Sequence, residues 1–362
     1  MNIAVLGAGN AGFAISGHLS LLGHRVALFE NEKFKDSIKK IERTKKIKLI
    51  GAIDGEATLY KVTTDMKEAV KGAEIVIIPV PAFAQEPMFD SYIEFAEKGQ
   101  TIIFFPGNCA GLRFYKKLLQ KDMSDFITIV EGDTMPYATR KLNDDEVNIL
   151  GIKKKLYLAA IPSNKTEKVV NLLNKEFYNI FVEAPNVLYT SLNNGNCIVH
   201  CSTAVLNAGW IETSKGDFSF FWEGMSPSVC RVLEDVEKEQ VNLGKYFGME
   251  IVTEKDFLAD YYGIKKCDTV YEMIQLSKAH GLIKAPRSLK DRYLSEDVPF
   301  GLIPISLLSK QFNLKTPTID SVIHLANVLN EEDYFKKGIT PSQLGIEGLS
   351  KEEILKIVNQ GK

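Results

Sequence analysis

Short apolar runs and longer amphipathic runs alternate along the first half of the chain. The short runs are rich in β-branched residues, as in buried parallel strands, and the longer runs repeat apolar residues with helical spacing. Strands are predicted over residues 2–6, 25–29, 46–50, 57–62, 74–80, 101–105, 126–130 and 180–182, helices over 13–22, 65–71, 91–98 and 164–177, and an edge hairpin over 146–150 and 154–161. This alternation predicts an α/β domain with a doubly wound parallel sheet of the Rossmann type.

The pattern changes near residue 186, where apolar residues begin to recur three and four positions apart. Helices are predicted over residues 188–206, 226–247, 270–280, 299–312 and 318–329. A chain of 362 residues is long enough for two domains of ordinary size. We therefore predict a nucleotide-binding domain over residues 1–185 and an all-α substrate domain over 186–362, with the active site in the cleft between them.

The first predicted strand leads into the sequence GAGNAG at positions 7–12. Gly7 suits a tight turn, Gly9 lets the backbone approach a pyrophosphate, and Gly12 allows the helix to pack closely on the strand. The N-terminus of the following helix favours the phosphate charge. Because strand, turn, helix, second strand and a terminal acid follow in the right order, the segment predicts a dinucleotide site.

Glu30 is that terminal acid, at the end of the second predicted strand. Its carboxylate can accept both hydroxyls of the adenosine ribose and would repel a 2′-phosphate, which favours NAD over NADP. Lys33 and Lys35 follow closely and could neutralise such a phosphate, or could lie on a solvated helix face. The predicted cofactor is NAD or NADP, with NAD favoured by Glu30.

Two of the predicted strands end in turns that contain proline, at Pro81-Ala82 and at Pro106-Gly107-Asn108. Ligands bind at the carboxyl ends of strands in an open parallel sheet, so both turns are candidates for the nicotinamide side. Proline is also an ordinary turn former, and a purely structural role stays open. The predicted cofactor-binding residues are Gly7, Gly9, Asn10, Ala11, Gly12, Glu30, Pro81 and Ala82.

Two stretches of the second half are unusually polar. In NNGNCIVHCSTAVLNAGWIE, residues 193–212, His200 and Asn207 lie on one face of the predicted helix. In RYLSEDVPFGL, residues 292–302, Arg292 and Asp297 crowd together before a helix that opens with proline. A histidine bonded to a carboxylate can exchange protons with a carbonyl oxygen or an amine, and an arginine can hold a carboxylate. Taken separately, each feature could also be structural.

A metal centre is the other chemistry that these residue types could support. Cys197, His200 and Cys201 are close in sequence, but no second ligand pair has suitable spacing. His200 and Cys201 are adjacent, so they point apart on a helix. We predict no bound metal.

Composition and charge narrow the class of protein. The content of 45% hydrophobic and 25% charged residues is that of a globular protein, and a net charge of −2 with scattered Lys and Arg argues against nucleic-acid binding. No apolar run is long enough to span a membrane, and the N-terminus lacks the pattern of a signal peptide. Five widely spread cysteines favour reduced thiols. We predict a cytoplasmic enzyme, which could be a homodimer, with no nucleic-acid or membrane partner.

Taken together, these segments resemble the opine dehydrogenase family, which includes octopine, nopaline and N-(1-carboxyethyl)-amino-acid dehydrogenases. GAGNAG with Glu30 looks like the family's nucleotide site, and the PVPA and FPGN turns sit where the family has similar turns. The N…H…LNAG helix and RYLSEDVPFGL are similar to motifs of the C-terminal domain and are more specific than the glycine turn. The resemblance runs through almost the whole chain.

The resemblance implies a reductive condensation. The amino group of an L-amino acid attacks the ketone of a 2-oxo acid, commonly pyruvate, and loss of water gives an imine. Hydride from NAD(P)H then reduces the imine to a secondary amine dicarboxylate.

The resemblance also implies roles for particular residues. His200 would be the acid/base group and Asp297 its orienting partner. Where the family often has a proline just after the histidine, this chain has Cys201, which affects local helix geometry rather than proton chemistry. The substrate-binding residues that the resemblance implies are Arg292, Asn194 and Asn207.

Other functions fit parts of the sequence. A two-domain dehydrogenase for a simple 2-oxo acid, similar to ketopantoate reductase or glycerol-3-phosphate dehydrogenase, would use a catalytic lysine, and Lys215 and Lys238 are available without a convincing polar setting. A non-catalytic NAD-binding sensor is the alternative from another class. The amino-acid side chain could meet aromatic residues or acids, which are Tyr189, Phe218, Phe220, Phe221, Trp222 and Met225, and Asp217, Glu223 and Glu234.

Overall fold

A computed structural model describes all 362 residues, and the chain divides into two compact units. The first unit comprises Met1–Thr190 together with Lys356–Lys362, and the second comprises Ser191–Leu355. The last seven residues join the first unit because Tyr115 donates a hydrogen bond to the carbonyl of Gly361 and Asn186 donates one to Asn359. None of the helices combines the length and the apolar character needed to cross a membrane.

The first unit is built on strands. In chain order they are β1 (Asn2–Leu6), β2 (Arg25–Phe29), β3 (Lys46–Gly51), β4 (Gly55–Thr58), β5 (Lys61–Thr63), β6 (Ile75–Ile78), β7 (Thr101–Phe104), β8 (Thr128–Gly132), β9 (Tyr137–Asn143), β10 (Glu146–Ile152), β11 (Leu156–Ile161) and β12 (Phe181–Glu183). Eight of them form one sheet in the order β12-β11-β8-β7-β6-β1-β2-β5. All neighbours in this sheet are parallel except β11, which runs antiparallel to β8.

The strand order reverses at β1, which pairs with β2 on one side and with β6 on the other. A reversal of this kind leaves a crevice at the carboxyl ends of the two central strands, where nucleotides bind. The last four residues of β1 are fully buried and apolar, as expected for a strand covered on both faces. The predicted doubly wound Rossmann sheet is therefore confirmed.

A second, four-stranded sheet has the order β4-β3-β10-β9 and corrects two predictions. The predicted hairpin is wrong, because β10 pairs with β9 and with β3, while β11 joins the main sheet. The predicted strand 57–62 is also wrong as one element, since β4 and β5 belong to different sheets. Apolar periodicity marks the strands, but the partner of each strand depends on distant residues.

Helices cover the connections of the first unit. They are α1 (Asn10–Leu21), α2 (Lys39–Thr44), α3 (Met66–Val70), α4 (Ala82–Ile93), α5 (Ala110–Gln120), α6 (Thr166–Glu176) and α7 (Val187–Leu192), with a 3₁₀ segment over Glu32–Ile38. The predicted helix 91–98 is wrong, since α4 begins at Ala82 and ends at Ile93. Its interior contains Pro87, a residue that ordinarily interrupts a helix.

The second unit is helical, as predicted. Its helices are α8 (Asn196–Leu206), α9 (Ala208–Ser214), α10 (Pro227–Tyr246), α11 (Glu254–Tyr262), α12 (Val270–Leu276), α13 (Lys278–Gly281), α14 (Arg292–Ser295), α15 (Ile303–Gln311), α16 (Pro317–Asn330), α17 (Tyr334–Lys337) and α18 (Pro341–Leu344), and α19 (Lys351–Gln360) ends the chain. The predicted helix 188–206 is interrupted at residues 193–195, where two asparagines precede a glycine. Helix α8 packs against α10, α14 and α16, which places it at the centre of this unit.

Candidate functional site

The glycine loop of the first unit is shaped by what its glycines exclude. Gly7 has φ +119°, and a β-carbon there would overlap the side chain of Val80, which lies two residues after β6. A β-carbon on Gly12 would overlap the carbonyl oxygen of Gly7. Gly9 is different, because nothing lies within 4 Å of the position its β-carbon would take. Two glycines therefore build the turn, and the third keeps open the space that a pyrophosphate would need.

The N-terminus of α1 is left available to an anion. Helix α1 begins at Asn10, no side chain caps its first turn, and that turn carries no acidic residue. The carboxamide oxygen of Asn10 instead accepts a hydrogen bond from the backbone N–H of Lys141, at 2.8 Å. Unpaired N–H groups at a helix N-terminus favour phosphate, so the residues fit a dinucleotide pyrophosphate.

Glu30 is fixed beside this loop. Its two carboxylate oxygens accept hydrogen bonds from the backbone N–H groups of Ala8, at 2.9 Å, and Asn31, at 2.7 Å. These bonds orient the carboxylate at the end of β2, the position from which ribose hydroxyls are bound in this fold. Lys35 forms an exposed ion pair with Glu32, so it is already engaged.

The two turns at strand ends have different surroundings. Pro81 directly precedes α4 and Ala82 is its buried first residue, close behind the Val80 side chain that borders Gly7. At the other turn, the fully buried carboxylate of Glu131 accepts a hydrogen bond from the N–H of Gly111, at 2.7 Å, and fills the space beside Gly107. Glu131 directly follows the predicted strand 126–130, and nothing in the sequence indicates that it holds this turn.

The central feature of the second unit is a histidine–carboxylate pair. His200 lies on α8 and its Nδ1 is 2.8 Å from Oδ2 of Asp297, which comes just after α14. Both side chains are largely buried, with 17% and 13% of their surfaces exposed. A carboxylate can only accept, so Nδ1 carries the proton that it donates to Asp297, and Nε2 is the nitrogen left for chemistry.

An aromatic wall surrounds the imidazole of His200. The ring of Tyr293 stacks on it with centroids 4.0 Å apart and an angle of 18° between the planes. Phe220 and Phe221 approach it edge-on, with centroids 6.3 and 6.4 Å away. Tyr293 is absent from the residues predicted above, although its place in RYLSEDVPFGL was a usable signal. The ring plane of His200 is therefore set by Asp297 at one nitrogen and by Tyr293 on one face.

The other predicted substrate residues occupy varied positions. Arg292 binds Glu296 through Nε in an ion pair, and 61% of its side-chain surface is exposed. Asn194 is buried in the break before α8 and accepts a hydrogen bond from the N–H of Asn196. Asn207 follows the last residue of α8 instead of lying within a longer helix, and its amide nitrogen donates to the carbonyls of Thr203 and Gly224. Its amide oxygen is thus the atom available for a substrate.

The three acids that could contact a cationic side chain of the amino-acid substrate all bind other groups of the protein. Asp217 forms an exposed ion pair with Lys284, at 2.8 Å. Glu223 accepts a hydrogen bond from the N–H of Ser219, and Glu234 accepts one from the N–H of Val270. These contacts give the three acids roles in fixing loops and helix ends.

A metal centre has no support from the arrangement of side chains. No group of three or more His, Cys, Asp or Glu side chains is placed to hold a metal ion, and none of the five cysteines forms a disulfide. Burial, together with nearby Asp297 and Cys197, raises the pKa of the Cys201 thiol well above its usual value. A thiol rather than a thiolate is therefore present beside His200.

Comparison with known proteins identifies the family. Residues 183–330 match the model of the NAD/NADP octopine/nopaline dehydrogenase alpha-helical domain, and residues 2–132 match that of the NAD-dependent glycerol-3-phosphate dehydrogenase N-terminus. An opine dehydrogenase of Arthrobacter sp. (strain 1C) is 32% identical over 358 residues, which cover 96% of each chain.

Solved structures of related enzymes share the fold. An octopine dehydrogenase solved with NADH and L-arginine has a TM-score of 0.80 at 20% identity, with 100% of this chain and 98% of the other covered. A yersinopine dehydrogenase solved with NADP⁺ has a TM-score of 0.73 at 15% identity, with 99% and 97% covered. The predicted dependence on NAD or NADP is confirmed, and the chain belongs to the opine dehydrogenase family of NAD(P)-dependent oxidoreductases.

Proposed function

We propose that this protein condenses pyruvate, or a closely related 2-oxo acid, with the amino group of an L-amino acid and reduces the resulting imine to a secondary amine dicarboxylate. The observation that carries the proposal is the buried His200–Asp297 pair, with its 2.8 Å hydrogen bond and a free Nε2. A histidine held in this way can both accept and donate protons at Nε2, as the loss of water during imine formation requires.

His200 performs the proton transfers in this scheme. The amine attacks the ketone carbon and the carbonyl oxygen gains a proton; a second proton on that oxygen lets it leave as water while the C=N bond forms. Nε2 of His200 accepts the two N–H protons of the neutral amine in succession and passes each to the carbonyl oxygen, which therefore leaves as water. Asp297 holds the Nδ1 proton and stabilises the imidazolium while it is charged. When bound, NAD(P)H would supply the hydride that reduces the imine carbon, while the imine nitrogen takes up one proton from solvent.

Arg292, Asn194 and Asn207 are proposed to hold the substrates. Nε of Arg292 is bonded to Glu296, so its two terminal nitrogens are the ones suited to a substrate carboxylate. The amide nitrogen of Asn207 already makes two hydrogen bonds, so this residue can act only as an acceptor, as for a substrate N–H. Asn194, buried next to the start of α8, is the third substrate contact.

The dinucleotide is proposed to bind in the first unit. Gly7, Gly9, Asn10, Ala11 and Gly12 would form the pyrophosphate cradle, because their backbone lies at the open N-terminus of α1. Glu30 would bind the ribose, and Pro81 and Ala82 would contact the nicotinamide side. The functional boundary near residue 185, the cytoplasmic location and the homodimer stay predictions of the sequence.

The amine requirement tests the proposed reaction. We expect NADH or NADPH oxidation with pyruvate to need an amino acid, and the product mass to equal that of the amino acid plus pyruvate, less one oxygen. The measurement is absorbance at the nicotinamide band with pyruvate and a panel of L-amino acids, followed by mass spectrometry. Full turnover with pyruvate alone would instead indicate reduction of a simple 2-oxo acid, and cofactor binding without turnover would indicate a sensor.

Tyr293 is expected to position the imidazole. Tyr293→Phe keeps the ring that stacks on His200 and should keep kcat within about threefold, whereas Tyr293→Leu removes the flat face and should lower kcat by roughly tenfold or more. The pH profile of kcat should shift in Tyr293→Leu alone, because the stacked ring acts on the titrating group. Equal rates and equal pH profiles in the two variants would contradict this role.

A further inference from the structure

Lys141 joins three parts of the glycine-loop region. It lies on β9, an outer strand of the second sheet, and its backbone N–H donates to the carboxamide of Asn10. Its Nζ lies 3.8 Å from the centroid of the Phe13 ring on α1 and donates to the carbonyl of Ser37, at 2.9 Å. Ser37 belongs to the 3₁₀ segment that follows Glu30. The side chain therefore points toward the segment that borders the ribose position.

The ammonium group of Lys141 is held in place by its surroundings. The side chain is half-buried, and one N–H is used by Ser37, so two donors remain. Burial lowers the pKa of Lys141, and the carboxylates of Asp144 and Glu30 oppose that change. The positive charge thus interacts with the negative charge of Glu30, the residue expected to repel a 2′-phosphate.

The other lysines near this position are less constrained. Lys35 is exposed and paired with Glu32, and Lys33 is exposed. A fixed cation binds a phosphate more favourably than a mobile one, because less side-chain entropy is lost on binding. Lys141 comes from a strand more than a hundred residues away in sequence, so it is not among the lysines that the sequence placed beside Glu30.

We propose that Lys141 is the residue that binds the 2′-phosphate of NADP(H), so that the site accepts the phosphorylated dinucleotide despite Glu30. The inference rests on the dinucleotide site proposed above. The backbone N–H groups at the start of α1 serve the pyrophosphate, and Lys141 serves the ribose end, on the side of Ser37. Glu30 and Lys141 then set the cofactor preference together.

Binding of 2′,5′-ADP and of ADP to the full chain, measured by calorimetry, tests this assignment without turnover. Wild-type protein should bind both probes. Lys141→Met, which keeps the aliphatic stem over Phe13, should weaken 2′,5′-ADP at least tenfold and ADP less than threefold. Lys141→Gln, which keeps a donor for Ser37, should show the same selective loss. Lys35→Met, the matched control in the adjacent segment, should bind both probes like the wild type.

The outcomes separate this inference from the proposed site. Equal weakening of both probes, or unchanged 2′,5′-ADP binding in the two Lys141 variants, would overturn the role of Lys141. A wild type that binds ADP but not 2′,5′-ADP would overturn it as well, while leaving the dinucleotide site intact. Failure of the wild type to bind ADP, NADH and NADPH would instead refute the dinucleotide site itself.

Discussion

His200→Ala is expected to lower kcat by roughly 10²- to 10⁴-fold, the usual contribution of a positioned general acid/base. The imidazole is the group that the buried Asp297 carboxylate holds at 2.8 Å, and its removal leaves no other side chain at the same place for proton transfer. Affinity for NADH should stay within about threefold, since the residues proposed to bind the cofactor lie in the first unit. Steady-state kinetics with saturating pyruvate and amine, together with NADH fluorescence titration, measure the two effects.

Asp297→Asn tests the second member of the pair. The amide oxygen can still accept from Nδ1, but it no longer stabilises the imidazolium, so kcat should fall by at least about tenfold and the pH profile should shift. His324→Ala is the matched control, because His324 is an exposed histidine on α16 in the same unit. Full activity of Asp297→Asn would refute the dyad, and equal losses in His324→Ala would point to a general effect on the unit.

The geometry of the His200 site is only partly predictable from the sequence. His200 and Asp297 are 97 residues apart, and their pairing was predicted only through the resemblance of their two motifs to the opine dehydrogenase family. The stacking of Tyr293 was missed, because ring contacts depend on the angle between α8 and α14, which no periodicity encodes. The predicted end at residue 206 agrees with α8, where the amide nitrogen of Asn207 bonds back to the carbonyl of Thr203, whereas the break at residues 193–195 was not predicted.

The sheets show the same limit in the first unit. Apolar runs located β10 and β11, but the predicted hairpin between them is wrong. Strand β10 pairs with β9 and β3 in the second sheet, whereas β11 pairs with β8 and β12 in the main sheet. Strand β9 carries charged and exposed residues and was not predicted at all. That strand places Lys141 near the glycine loop, and because β9 is absent from the prediction, the position of Lys141 was not predicted either.

Gly12→Ala is expected to lower the free energy of unfolding by about 3 kcal/mol or more, the upper range for overpacking a tight core. The added β-carbon would overlap the carbonyl oxygen of Gly7, and a backbone atom cannot rotate away as a side chain can. The melting temperature should fall by roughly 6–12 °C on the usual scaling for domains of this size. Thermal unfolding followed by circular dichroism measures the change.

Gly9→Ala is the matched control and carries the opposite expectation. Nothing lies within 4 Å of its β-carbon position and its φ of −74° suits alanine, so the melting temperature should change by no more than about 2 °C. The new methyl group would occupy the space that a pyrophosphate needs, so NADH affinity should fall at least about tenfold. A loss of stability in Gly9→Ala, or NADH binding that is unchanged in this variant, would contradict the separate roles assigned to Gly12 in the turn and to Gly9 in cofactor binding. Because one methyl group is added in each case, the contrast separates the residue that builds the turn from the residue that receives the cofactor.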